Sequence, residues 1–109
     1  MVPDVLPSAL LERIVSLRRE LHRRPELSGE ESWTAQRIGR ELDDLSIEHR
    51  IGVGGNGIVA TIPGIEEAPT VALRADIDGL PITERTGLPF ASEIDGVMHA
   101  CGHDGHASM

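Results

Sequence analysis

The sequence predicts a mixed α/β unit of two helices followed by about three strands. Two observations predict it. Up to about residue 45, apolar residues recur at three- and four-residue spacing. Beyond residue 46 they alternate with polar residues or gather in short β-branched runs bounded by Gly and Pro. The length of 109 residues favours one domain. A chain of this size can bury roughly two-thirds of its unfolded surface.

The first helix is expected over residues 8–24. Leu10, Leu11, Ile14, Leu17 and Leu21 share one face, Ser8 is the candidate N-cap, and Pro25 ends the helix. Arg18, Arg19, Arg23 and Arg24 lie late, where the helix dipole favours cations. Ser28-Gly29-Glu30-Glu31 reads as a capping box, with Ser28 as N-cap. It opens a second helix to about Leu45, with Trp33, Ile38, Leu42 and Leu45 as its apolar stripe. Thr34 and Gly39 are its weak points. Ile47, His49 and Ile51 mark a short strand, residues 52–57 a glycine-rich turn, and residues 58–62 a second strand, giving a hairpin. Residues 70–75 predict a third strand, apolar enough to be central in a sheet. It runs into Asp76-Ile77-Asp78-Gly79. Residues 80–97 are broken by Pro81, Gly87, Pro89 and Gly96 and read as a long functional loop.

Composition excludes several function classes. The net charge is −8, all ten basic residues are Arg, and Trp33 and Phe90 are the only Trp, Tyr or Phe residues. That is a poor nucleic-acid binder, without a positive surface or stacking platforms. The single cysteine, Cys101, excludes an intrachain disulfide framework. No apolar run is long enough to span a membrane, and the N-terminus does not read as a secretory signal. The expected setting is cytoplasmic, with no membrane partner. The glycines of residues 52–57 match no phosphate-binding spacing.

The chemistry-bearing residues crowd toward the end of the sequence. His99, Cys101, His103 and His106 all fall within the last eleven positions. Cys101 and His103 lie two apart, a spacing that puts both side chains on one face only if the backbone is extended. Thiolate plus imidazole suits zinc or a similar transition ion. We therefore read Cys101 and His103 as metal ligands, with further ligands to come from elsewhere, and His99 and His106 as structural or supporting groups. Asp76 and Asp78 sit at the C-terminal end of the third predicted strand, where α/β sheets gather their ligands. Either can ligate a metal, orient a ligating His, or close an Asx turn. Asp104 reads first as a helix N-cap and second as an acceptor behind a ligating His. Arg74 can pair with Asp76 or with a substrate carboxylate, and reads first as a surface ion-pair partner. His22, with Glu20, Arg23, Arg24, Pro25 and Glu26 around it, reads as a solvated helix end.

Three segments then occur in order: Arg19-Glu20-Leu21-His22-Arg23-Arg24-Pro25-Glu26-Leu27-Ser28, Leu73-Arg74-Ala75-Asp76-Ile77-Asp78-Gly79-Leu80-Pro81-Ile82, and Met98-His99-Ala100-Cys101-Gly102-His103-Asp104-Gly105-His106. Together they resemble the signatures of the M20 metallopeptidase superfamily, in its amidohydrolase branch of hippurate, N-acyl-amino-acid and indole-acetyl-amino-acid hydrolases. The resemblance runs from about residue 10 to the last residue. It implies a catalytic domain with a mixed central sheet flanked by helices. Residues 1–109 would be the N-terminal portion of that domain, incomplete, with the inserted dimerisation or lid domain outside it. It implies metal-dependent hydrolysis of the amide bond of N-acyl amino acids or related conjugates, by two divalent metals, zinc or manganese. The parent would be a homo-oligomer. Cys101 and His103 match the family's first two ligands. Asp78 matches the carboxylate of the His-x-Asp motif, which orients a ligand, and is the one catalytic assignment within the chain. Asp76 stands where other branches carry a ligating His, which leaves it, with Asp104, a supporting role. No residue matches the family's general-base Glu, so the 109 residues alone are expected to be inactive. Two other readings stand beside this one. One is a complete small zinc-binding protein with His99, Cys101, His103 and His106 around a structural ion. The other is an interaction module without metal.

Overall fold

The computed structural model describes residues 6–109. Two helices, α1 (Ser8–Arg23) and α2 (Ser32–Asp44), precede a hairpin of β1 (Glu48–Val53) and β2 (Gly57–Thr61), and a short helix, α3 (His103–Ser108), closes the chain. The α/β class and the element order through the hairpin are as the sequence predicts.

The helix ends are built differently from expectation. At the start of α1, Pro7 occupies the N-cap position and Ser8 makes no capping bond. α2 begins four residues after Ser28, with Glu31 at the N-cap position and no side-chain cap of its own. Glu26, from the preceding loop, does the capping instead. Its carboxylate accepts the main-chain N–H groups of Trp33 (3.2 Å) and Thr34 (2.6 Å), and the Thr34 hydroxyl (2.7 Å). At the other end Ser46 takes a left-handed conformation (φ 56°). Its N–H donates to the Asp43 carbonyl, and that of Ile47 donates to the Leu42 carbonyl, both at 2.9 Å. This is a Schellman closure without the usual glycine.

The hairpin is antiparallel, with Glu48 opposite Thr61, Ile51 opposite Ile58, and an irregularity between Ile51 and Val53. α2 packs on both strands. Gly39 lies at this contact: a Cβ there would come 2.5 Å from Ile51 Cδ1, so the end of the Ile51 side chain would have to move aside. The glycine that weakened the helix prediction thus sits where helix and strand meet.

The third strand is a correction. Among the described residues the sheet has two strands, and residues 70–75 belong to neither. Val71 is 82% exposed and Leu73 97% exposed. A strand is defined by its neighbours, and no described segment pairs with this one, so strong β propensity alone does not build it. Burial is correspondingly small. Leu17, Leu21 and Ala35 are the fully buried hydrophobic residues among those described. The accessible surface of 7954 Å² exceeds the roughly 5,900 Å² expected for a folded chain of 11.8 kDa. The radius of gyration, 15.3 Å, exceeds the roughly 13 Å expected for this length.

The exposed stretch of Ile62, Ile65, Val71 and Leu73 has a measurable consequence. Exposed β-branched and leucine side chains on a segment unpaired in any sheet, as at Val71 and Leu73, favour pairing with another chain. The 109-residue chain should therefore self-associate, with a sedimentation coefficient that rises with concentration. Val71→Glu with Leu73→Glu, two substitutions on one face, should largely abolish the rise. An equal concentration dependence in both proteins would show that association lies elsewhere.

Residues 80–98 have little regular structure, as expected, but they are held at both ends. Leu27 pairs in parallel with Gly79, and Leu80 pairs antiparallel with Met98. Among the described residues no helix is long and apolar enough to cross a membrane.

Candidate metal-binding site

Asp78 is delivered by the pairing at Gly79, whose N–H donates to the Glu26 carbonyl at 2.7 Å. His103 is delivered from the opposite direction by α3. The turn into α3 is made by Gly102, which is left-handed (φ 83°, ψ 6°) and occupies the N-cap position. The extended backbone expected over residues 101–103 is therefore not present. A local turn replaces it, because the helix begins at His103 itself. The left-handed conformation explains a glycine between the two candidate ligands.

The turn brings His103 to Asp78. His103 Nδ1 lies 3.0 Å from the Asp78 main-chain oxygen and 2.9 Å from its carboxylate Oδ1. Both are acceptors, so Nδ1 is the donor in this contact and Nε2 is directed away from it. This is the arrangement in which a carboxylate fixes the tautomer of a histidine whose other nitrogen is free to bind. His103 Nε2 is 4.0 Å from Asp76 Oδ2. Asp76 itself pairs with Arg74 at 2.9 Å on the surface, as the sequence suggests. The Arg74 guanidinium, by hydrogen bond and charge, holds the Asp76 carboxyl below the usual carboxylate range. Cys101 is exposed as a free thiol.

Asp104 corrects the capping expectation. It lies in the first turn of α3, and no side chain caps that helix. Its carboxylate, 1% exposed, instead faces α1: Oδ2 accepts from Arg18 Nε at 2.8 Å and from His22 Nδ1 at 2.7 Å. His22 is buried too, which corrects the reading of a solvated helix end. Its Nε2 lies 2.8 Å from Glu84 Oε1. Burial alone would raise the Glu84 carboxyl. Bonds from the Thr86 hydroxyl and the Ser92 main chain, with His22 alongside, outweigh that and hold it below the ordinary range. Phe90 stands edge-on to His22 at 5.6 Å, with the Arg18 and Arg19 guanidinium groups over its ring.

Sequence reading missed His22, Arg18 and Glu84. A signal for His22 was present, since it follows Leu21 on the flank of the apolar face. Glu84 carries no comparable signal, because its partner lies 62 residues away.

The four-ligand structural zinc arrangement is not formed. His99 is buried with both ring nitrogens unpartnered, while Cys101 faces solvent and His106 is exposed. Burial pushes the His99 imidazole down, toward the neutral form. Among the described residues no three His, Cys, Asp or Glu side chains are grouped to hold an ion.

Comparison with known proteins fits the site. Residues 72–109, which carry Asp76, Asp78, Cys101 and His103, match the family described as Peptidase family M20/M25/M40. The chain is 50% identical over 97 residues to an N-acetylcysteine deacetylase of Bacillus subtilis, covering 88% of this chain and 26% of that protein. A structure of the Bacillus subtilis YXEP protein, a dinuclear metal binding peptidase from the M20 family, superposes with a TM-score of 0.89. It shares 48% identity and covers 94% of this chain and 29% of that one. The chain is thus similar in sequence and in fold to M20 proteins. A thermostable carboxypeptidase of Saccharolobus solfataricus is 46% identical over 97 residues, which are 88% of this chain and 25% of that protein. The chain spans about a quarter of the length of the curated relatives it matches.

Proposed function

We propose that this chain is the N-terminal portion of the catalytic domain of an M20-type metal-dependent amidohydrolase. Its substrates would be N-acyl amino acids or related conjugates, and its setting cytoplasmic. The observation that carries the reading is His103, held by Asp78 through Nδ1 with Nε2 left free, two residues from an exposed thiol. The donor set fits a divalent transition ion: one thiolate and one oriented imidazole, both acceptable to zinc. Two divalent ions, zinc or manganese, would polarise the acyl carbonyl and lower the pKa of bound water when present. Cys101 would bind as thiolate, His103 through Nε2, and Asp78 would hold the His103 ring in register. Asp76 and Asp104 would support from behind. The remaining ligands and the general base would come from the part of the relatives that this chain does not span, together with a dimerising or lid domain and homo-oligomer contacts.

Calorimetric titration of the 109-residue chain tests this. Zinc or manganese should bind weakly, and Cys101→Ser or His103→Ala should weaken binding at least tenfold further, on the order of one ligand's contribution. The chain should release no amine from N-acyl amino acids. Stoichiometric nanomolar zinc with folding on addition would favour a structural ion instead. Turnover of hippurate by the purified chain would overturn the expected inactivity.

A further inference from the structure

We propose that His22 is a positioning residue that aims His103. The two nitrogens of its buried ring each hold one of two segments that meet at the His103–Asp78 contact. Nδ1 holds Asp104 at 2.7 Å, the residue next to His103 in the first turn of α3. Nε2 holds Glu84 at 2.8 Å. Glu84 belongs to the loop that begins after Asp78 and Gly79 and returns through the Leu80–Met98 pairing.

The geometry makes the ring a clamp. Arg18 and His22 lie four residues apart on α1, so they share a face, and both address the same oxygen, Asp104 Oδ2. Two donors on one oxygen pin Asp104 against α1 and so fix the rotation of α3 about its axis. Successive residues of a helix point roughly 100° apart, so pinning Asp104 inward directs His103 aside, toward Asp78. On the other side, Glu84 also accepts the Ser92 main-chain N–H at 3.0 Å. Glu93 N–H donates to the Arg23 carbonyl at 2.9 Å, fastening the same loop to the end of α1. Both ring nitrogens face carboxylate oxygens, so one ring bridges the two segments. Arg18 supplies a permanent cation to the buried Asp104 carboxylate. Arg18 reaches the same two segments from the same helix face, on Asp104 by its hydrogen bond and over the Phe90 ring of the loop.

The ring-aiming half of this inference stands on the geometry alone, while its effect on metal rests on the function proposed above. The test is a multiple-bond proton–nitrogen NMR spectrum of the histidines in the 109-residue chain without metal, with His103→Ala assigning the signals. In the wild-type chain His103 should show one fixed tautomer, protonated on Nδ1. His22→Gln keeps a polar side chain but cannot bridge two carboxylates with ring geometry. It should release His103 to averaged tautomers and weaken zinc binding by about tenfold, as loss of an orienting partner does. A folded His22→Gln chain whose His103 signals are unchanged would overturn the proposal, because a purely structural role lowers the melting temperature without moving that tautomer. Should His22→Gln lose its helical circular dichroism, Arg18→Gln takes its place. It removes the second donor to Asp104 from the solvent side and should shift His103 in the same direction, and no shift would overturn the proposal. A wild-type chain that binds no zinc would overturn the function proposed above and leave the tautomer to decide this inference.

Discussion

Replacing Asp104 by Ala should lower the stability of the chain by about 3 kcal/mol, the low end of the cost of removing one partner from a buried ion pair. The carboxylate is 1% exposed and its Oδ2 is shared by Arg18 and His22. The two donors lose different amounts. Arg18 is 37% exposed and regains water when its acceptor is removed. His22 is 3% exposed and regains none, so the cost falls on the imidazole and on Glu84 behind it. Asp104→Asn separates charge from hydrogen bonding. An amide oxygen in the place of Oδ2 can still accept from both donors, and the expected loss is about 1 kcal/mol. Urea unfolding at neutral pH, followed by helical circular dichroism, measures both. Domains are commonly stable by about 5–15 kcal/mol, so 3 kcal/mol is a large share. Equal midpoints for wild type and Asp104→Ala would mean that the cluster does not hold α3 to α1.

That cluster also shows which parts of the molecule the sequence reveals. The helices and the hairpin follow from local rules, namely the Leu17–Leu21 spacing, the Pro25 stop and the glycines at residues 54 and 55 between two β-branched runs. The candidate site follows from motif resemblance, and the structure adds the Asp78–His103 contact across 25 residues. What local rules do not reach is long-range pairing of polar groups. His22, Asp104 and Glu84 are each ordinary in their own neighbourhood, and their meaning arises from separations of 82 and 62 residues. The third strand fails for a related reason. Residues 70–75 carry the right residues for a central strand, but centrality is a property of neighbours, and Leu73 has none among the described residues. Gly39 and Ser46 mark the opposite case. Each breaks a local helix preference, and each is explained by a specific tertiary or closing geometry.

The start of α2 separates a local reading from the observed structure most directly. The capping box places Ser28 as the residue that closes the helix, whereas the structure gives that role to Glu26. Glu26→Ala should therefore destabilise the chain by about 2 kcal/mol, the upper range of a lost cap. Three donors lose their acceptor together: the N–H groups of Trp33 and Thr34 and the Thr34 hydroxyl. Thr34 is 1% exposed, so water does not replace the bonds. A negative charge facing the N-terminal end of a helix is lost as well. For a domain of this size the melting temperature should fall by roughly 10 °C, at several degrees per kcal/mol. Ser28→Ala should change it by no more than a few degrees, because Ser28 is exposed and makes no capping bond to the helix. Glu26→Gln keeps one acceptor oxygen and should fall between the two. Comparable losses from Ser28→Ala and Glu26→Ala would restore the capping box. A large loss from Glu26→Ala alone would show that this helix is closed by a carboxylate six residues before its first turn.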